Sequence, residues 1–280
     1  MFFTPHPGIA DVVDAIWDVD LPDPELAGSV SFKVLPAASP TLCIHYRAPA
    51  GSDQRINPGN CRQRITGVQT RTITIRPTGP VGAIIIHLKP EAAWSLTGCG
   101  LREFTDANIG LRDLFSPSVT SRLEDMLSEA RGGFERSQVV QHFLLSRIRR
   151  DLSDSLVRHA VLGILRDPSR SQRSLASHLD ISERQLSRRF HAMVGTGVKR
   201  FARIARFGKA VAKRRRGVSW SQISYACGYS DQSHLVHDFK LITGCSPDGL
   251  LKAVSQPRYY ELNAALAVSG FSNTFIVEPR

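Results

Sequence analysis

A chain of 280 residues with 42% apolar content has enough hydrophobic side chains for one large or two ordinary cores. No run approaches the roughly 20 apolar residues of a membrane helix, the opening MFFTPHPGIADVVD lacks the basic-then-apolar order of a secretory signal, and five cysteines without a CxxC pair fit a reducing cytoplasm better than a disulfide framework. Net charge is +11, and residues 166–255 alone hold 17 Lys and Arg against 6 Asp and Glu, while residues 1–120 hold 10 against 11.

In chain order, the first 115 residues are punctuated by Pro and Gly and carry short β-leaning runs. Thr41–Ala48, Ile65–Pro77 and Val81–Pro90 are predicted strands, with breaks at Pro49–Asp53, Ile56–Asn60 and Arg76–Pro80. Within the third run AIIIHL is continuously apolar, as in a strand buried on both faces. From Ser116 apolar spacings of three and four take over in SVTSRLEDMLSEA, SQVVQHFLLSRIRRDL and DSLVRHAVLGILRD, which predicts helices. The boundaries drawn from this are a β-rich domain at 1–120, a helical connector at 121–152, a basic domain at 153–255 and a tail at 256–280 that is weakly structured or adds a strand.

The basic domain contains one pattern twice. In SQRSLASHLDISERQLSRRFHAMVG, a short helix turns Leu175, Ala176 and Leu179 inward, a turn follows at Asp180–Ile181, and Ser182 caps a second helix with Leu186 and Phe190 inward. In SWSQISYACGYSDQSHLVHDFKLITG, Ile223 and Ala226 face inward, Gly228 supplies the corner, Ser230 caps, and Leu235, Val236 and Phe239 pack. Each copy reads as a helix-turn-helix, whose second helix fits a major groove roughly 12 Å wide. Between them a helix from about Lys199 to Arg215 has Phe201, Ile204, Ala205, Gly208 and Val211 on one face and Lys and Arg on the other. A basic segment joined to a neutral one is the footprint of a polyanion-binding domain attached to something else, a plain solvated face being the alternative.

Residues 153–253 resemble the DNA-binding domain of the AraC/XylS family of transcription regulators. The stretch ISYACGYSDQSHLVHDFKLITGCSP carries the most specific part of the likeness. Ser224 stands where the family has a small Ala, Leu235 where an aromatic is common, and Leu250–Leu251–Lys252 replaces the usual aromatic-Arg ending. VLPAASPTLCIHY, RPTGPVGAIIIHLKPEAAWSLTG and LREFTDANIGLRDLF resemble the cupin-like sensor region of some members. The resemblance implies an α+β chain with an N-terminal β-rich cupin-like barrel or sandwich, a helical connector and a C-terminal all-α double helix-turn-helix domain. It implies a cytoplasmic, non-enzymatic, effector-responsive regulator that binds double-stranded DNA, with RNA polymerase, a small-molecule effector and a second copy of the chain as further partners.

Carried over residue by residue, the resemblance gives base-reading positions at Arg184, Gln185, Arg188, Gln232, Ser233, His234 and His237. Arg forks onto guanine and Gln onto adenine, although half or more of protein–DNA hydrogen bonds go to phosphate and sugar. Ser182, Arg189, Lys199, Arg200, Ser230 and Lys240 are the expected phosphate contacts, and Lys213–Arg216 is either another or a solvated helix end. Tyr46, His87 and Trp94 are candidates for an effector pocket, with core packing as the alternative for each. His45, His87, Cys43, Cys61 and Cys99 are too scattered for a cupin metal site or a zinc-thiolate cluster, so no metal or cofactor is expected. Cys227 and Cys245 fall at packing positions. Two rival readings remain: a metal-dependent or DNA-repair enzyme targeted to DNA, and a regulator whose N-terminal domain senses nothing.

Overall fold

The computed structural model describes residues 1–47, 51–52, 62–77, 79–152, 154–254 and 274–276. The predicted break at Ile56–Asn60, most of that at Pro49–Asp53, Cys61 and most of the tail lie outside them. Among the described residues the N-terminal part is built on two antiparallel sheets. The larger joins β1 (Phe2–Phe3), β2 (Val13–Leu21), β4 (Thr41–His45), β6 (Gln63–Thr66), β8 (Val81–Leu88) and β9 (Asn108–Gly110) in the order β1-β2-β8-β4-β6-β9. The smaller joins β3 (Phe32–Val34), β5 (Gly51–Ser52), β7 (Ile73–Arg76) and β10 (Thr274–Ile276) in the order β10-β3-β7-β5. The tail thus adds a strand at an edge, opposite Phe32–Val34.

One predicted strand is corrected. Ile65–Pro77 is not one strand: it divides into β6 and β7, which belong to different sheets. Gly67 makes the break. Its N–H donates to the Phe104 carbonyl at 2.8 Å, and a Cβ there would lie 2.6 Å from that oxygen. Strand β2 lies outside the predicted runs, and it pairs along nearly all of β8 although Asp14, Asp18 and Asp20 interrupt its apolar pattern.

Strands alternate their faces, so Ile16, Leu42, Ile44, Ile65, Ile84 and Ile86 share one side of the larger sheet. Two short helices, α1 (Pro24–Ser29) and α2 (Ala93–Thr97), precede α3 (Pro117–Glu129) and α4 (Gly133–Arg147), which cover it with Leu123, Leu127, Val140 and Leu144. A buried ion pair ties α4 down, with Arg136 donating from Nη2 to Asp18 at 3.0 Å. The Tyr46 hydroxyl donates to the other Asp18 oxygen at 2.6 Å, and the guanidinium lies 4.1 Å from the centre of the Tyr46 ring.

The C-terminal part comprises α5 (Ser155–Arg166), α6 (Gln172–His178), α7 (Glu183–Val194), α8 (Val198–Arg215), α9 (Trp220–Ala226), α10 (Gln232–Thr243) and α11 (Pro247–Val254). Helix α8 carries two apolar stripes. Phe201, Ile204 and Ala205 join a core with Val157, Val161, Leu175, Leu186 and Phe190, whereas Phe207, Ala210 and Val211 join one with Ile223, Leu235, Phe239 and Ile242. Three inward assignments are corrected: Ala226 and Gly208 are exposed and Val236 is only half-buried. Ser224 is buried instead of Ala226, its hydroxyl held by the Trp220 carbonyl at 3.0 Å.

Both C-terminal cores take side chains from the N-terminal part. Val68 is buried in the first, with Ala38 and Trp94 packed against it, and Leu35 is buried in the second. The Thr105 hydroxyl donates to the Gly195 carbonyl at 2.7 Å. Gly195 ends α7 at φ 85°, and a Cβ there would clash with the Leu101 carbonyl oxygen. Only glycine fits that combination of left-handed backbone and close approach.

Candidate nucleic-acid interface

The two helix-turn-helix units reach the same geometry by different local means. In the first, Asp180 makes the corner at φ 53°. Ser182 Oγ then accepts from the Gln185 N–H at 3.2 Å, while Gln185 Oε1 accepts from the Ser182 N–H at 3.0 Å. This reciprocal cap satisfies two orphan donors at the start of α7. In the second, Gly228 takes the corner at φ 75°. The cap is Asp231 rather than Ser230: its Oδ1 accepts from the His234 N–H at 2.7 Å. That hydrogen bond holds the Asp231 carboxyl below its ordinary range, and a carboxylate at a helix N-terminus also meets the positive end of the dipole.

Beyond these caps, α10 presents an open concave face of about 480 Å³ lined by Gln232, Ser233, Val236, His237 and Lys240. His234 does not line it. Its Nδ1 accepts from the Ser230 N–H at 3.3 Å, and its ring packs edge-on against Tyr229 with centroids 5.3 Å apart. His234 and Ser230 therefore brace the corner. On α7, Arg184, Gln185 and Arg188 are exposed, with Gln185 folded back into its cap. Spacings of three and four put the side chains of 184, 185 and 188 along one side of a helix.

The expected phosphate contacts divide. Lys199 and Arg200 are exposed at the start of α8, on the rim of a hollow of about 400 Å³. Gln172, His191 and Thr196 share that hollow, and sequence reasoning passes over all three. The one available signal is Ser171-Gln172, a capping serine followed by an amide at the start of α6. Arg189 is engaged within the fold, donating from Nε to Asp154 at 2.9 Å. Lys213, Arg214 and Arg215 are half-buried and Arg216 is exposed, so the run is packed against the fold up to its last residue. Arg214 stacks 5.3 Å from the Trp220 ring centre, and burial lowers Arg215 to a pKa of about 10.

The three pocket candidates do not converge. Tyr46 serves the Asp18–Arg136 network, where burial and then the Asp18 carboxylate push its phenol upward. His87 lies on the other face of the larger sheet, edge-on to Trp17 at 4.5 Å, and burial lowers its pKa to about 4. Trp94 packs against the first helix-turn-helix core. Among the described residues no group of three or more His, Cys, Asp or Glu is arranged to hold a metal ion, and no helix is long and apolar enough to cross a membrane.

Two family models match separate parts of the chain. Residues 175–253 match the family model described as a helix-turn-helix domain, HTH_18, and residues 1–110 match a domain of unknown function, DUF6597. No curated protein matches. Among solved structures the chain is similar to ToxT from Vibrio cholerae. An apo form of a lysine-to-alanine variant of ToxT is 13% identical with a TM-score of 0.46, covering 85% of this chain and 96% of that one. A wild-type form bound to an unsaturated fatty acid is 14% identical with a TM-score of 0.44, covering 86% and 94%.

Proposed function

We propose that this chain, a DNA-binding transcription regulator of the AraC/XylS family by its C-terminal domain, reads its operator by setting α7 and α10 into successive major grooves. The open, short-side-chain face of α10 carries this reading. A helix bound only for solvent gains nothing from Gln, Ser and His side by side, whereas base edges need donors and acceptors that reach without a long stem. Helix α8 has 18 residues, hence about 27 Å of length, and with its flanking turns it matches the roughly 34 Å between groove segments on one side of a duplex.

In this reading Arg184, Arg188, Gln232, Ser233 and His237 contact base edges, and Gln185 contributes the amide nitrogen its cap leaves over. Lys199, Arg200, Lys240 and the cap at Ser182 contact phosphate. Arg189 and Ser230 act through the fold, by holding α5 to α7 and the second corner. The boundaries at 120, 152 and 255 separate a regulatory β-rich domain, a connector and the DNA-binding domain. The protein works in the cytoplasm without catalysing a reaction, responds to a small-molecule effector through its β-rich domain, and acts on RNA polymerase, as a dimer where the operator is repeated.

The test compares full-length variants on a duplex selected from random sequence. Gln232→Ala and Arg188→Ala each lose about 1–3 kcal/mol on the selected site and relax preference at particular base pairs. Lys240→Ala weakens all sequences alike and lowers the salt slope by about one. Equal, sequence-blind losses from all three would move Arg188 and Gln232 to the phosphate set.

A further inference from the structure

Helix α8 begins with donors that the fold leaves open. Gly197 caps it without a side chain, and its first turn holds no acidic residue. The first N–H to find a helical partner is that of Phe201, which donates to the Gly197 carbonyl at 3.0 Å. The N–H groups of Val198, Lys199 and Arg200 precede it and have no acceptor within the helix. The dipole favours anions at this end, yet the sequence sets Lys199 and Arg200 there. Neither makes an ion pair among the described residues. Thr196 is the independent sign of a ligand. It is 3% exposed, it lines the hollow of about 400 Å³ at the start of α8, and its hydroxyl has no hydrogen-bond partner among the described residues. Among the described residues no carboxylate lines that hollow.

We propose that this hollow is a phosphate-binding site shaped jointly by the two parts of the chain. Lys199 and Arg200 supply charge, Thr196 a neutral donor, and the start of α8 its backbone N–H groups, the set that a helix N-terminus offers to phosphate. The oxygens of a carboxylate lie in one plane, whereas those of a phosphate spread in three dimensions and meet donors from a helix end and from both its flanks. The N-terminal part fixes the loop that carries Thr196. Thr105 lines the hollow, and its hydroxyl donates to the carbonyl of Gly195 at 2.7 Å. The source of the phosphate rests on the DNA-binding reading. Ser187 and His191 also line the hollow, and at spacings of three and four they continue the side of α7 that holds Arg184 and Arg188. A helix set into a groove by that side brings its far end against the flanking backbone, so a duplex phosphate is the expected occupant. Free phosphate presents the same oxygens.

The test uses the full-length protein, Thr196→Val and Gly197→Asp, each checked by thermal melting. A Cβ at Gly197 meets nothing within 4 Å, and its backbone at φ −77° and ψ 152° suits any residue. Aspartate is also a good cap there, so Gly197→Asp is expected to melt no lower than the native chain while placing a carboxylate in the hollow. Inorganic phosphate, titrated against chloride at fixed ionic strength, is expected to shift the amide resonances of Val198, Lys199 and Arg200 saturably. Thr196→Val loses a hydrogen bond to a charged group and is expected to weaken that binding about tenfold; Gly197→Asp is expected to abolish it. On duplex DNA, Thr196→Val is expected to weaken affinity by a similar factor, and inorganic phosphate to compete with the native chain but not with Gly197→Asp. Weakening of both ligands places them in one site. Weakening of phosphate alone assigns the site to free phosphate, and weakening of DNA alone assigns it to the duplex backbone. If Thr196→Val holds both ligands as the native chain does, or the native chain holds neither at this site, the proposal is overturned. The phosphate titration decides without DNA, so a failure of the DNA-binding reading is seen separately.

Discussion

Leu35→Ala tests whether the N-terminal part completes the second helix-turn-helix. Leu35 follows β3, yet its side chain is 1% exposed within the cluster formed by Phe207, Val211, Ile223 and Phe239. Truncating a fully buried leucine removes its transfer free energy and leaves a cavity, a combined cost of about 2–5 kcal/mol. A cost of that size would follow from any buried leucine, so the discriminating quantity is coupling. In a double-mutant cycle with Val211→Ala, the two truncations enlarge one cavity and should depart from additivity by about 0.5–3 kcal/mol. With Leu127→Ala, which lies in the core beneath the larger sheet, the same change should add within about 0.3–0.5 kcal/mol. Urea denaturation of the four proteins of each cycle gives both numbers. Additivity with Val211→Ala, or a Leu35→Ala cost below about 0.5 kcal/mol, would refute the interlocked core.

At the second corner, Gly228→Ala forces a Cβ into φ 75° and to 2.9 Å from the Ser169 side chain, so about 1–2 kcal/mol is lost to the backbone alone. Thermal melts should show Ser169→Gly recovering only the excess beyond that. His87 gives a pH dependence: burial lowers its pKa from 6.5 to about 4, so the unfolded chain binds the proton more readily. Its contribution is complete above pH 6.5 and is lost as pH falls toward 4, by up to about 3 kcal/mol. Urea midpoints at pH 7 and 4.5 should differ less in His87→Gln than in the native chain, and equal differences would place the acid sensitivity elsewhere.

What is legible in the sequence follows the range of the interactions concerned. Leu186, Phe190, Leu235 and Phe239 can be set inward because helical spacing is a local signal, and Gly228 can be set at the corner because its φ is a property of one residue. Gly67 misleads because what breaks the strand is the carbonyl of Phe104, which no local pattern announces. Asp18 conceals β2 for the same reason. A carboxylate inside a strand reads as a break until Arg136 and Tyr46, both distant in sequence, are known to receive it. The cap at Asp231 and the bracing role of His234 depend on which of several adjacent polar groups reaches the helix end first. Composition does not decide that. Tyr46, His87 and Trp94 group together as pocket residues by side-chain type, but their strand and helix positions send them to three different surroundings.

The interlocked cores also bear on regulation. The two recognition helices are joined by α8, yet each core is completed by a different N-terminal segment, Val68 with Ala38 and Trp94 for one and Leu35 for the other. Any rearrangement of the β-rich domain that shifts the Leu35 segment relative to the Val68 segment must therefore strain one core or move α10 relative to α7. Packed interiors switch between discrete arrangements rather than deforming smoothly. A ligand that binds one arrangement better than the other changes the fit of both helices to a duplex by no more than that difference in affinity. On the proposed function, the spacing of α7 and α10, rather than the chemistry of either face, is then the quantity through which the N-terminal part would act on DNA.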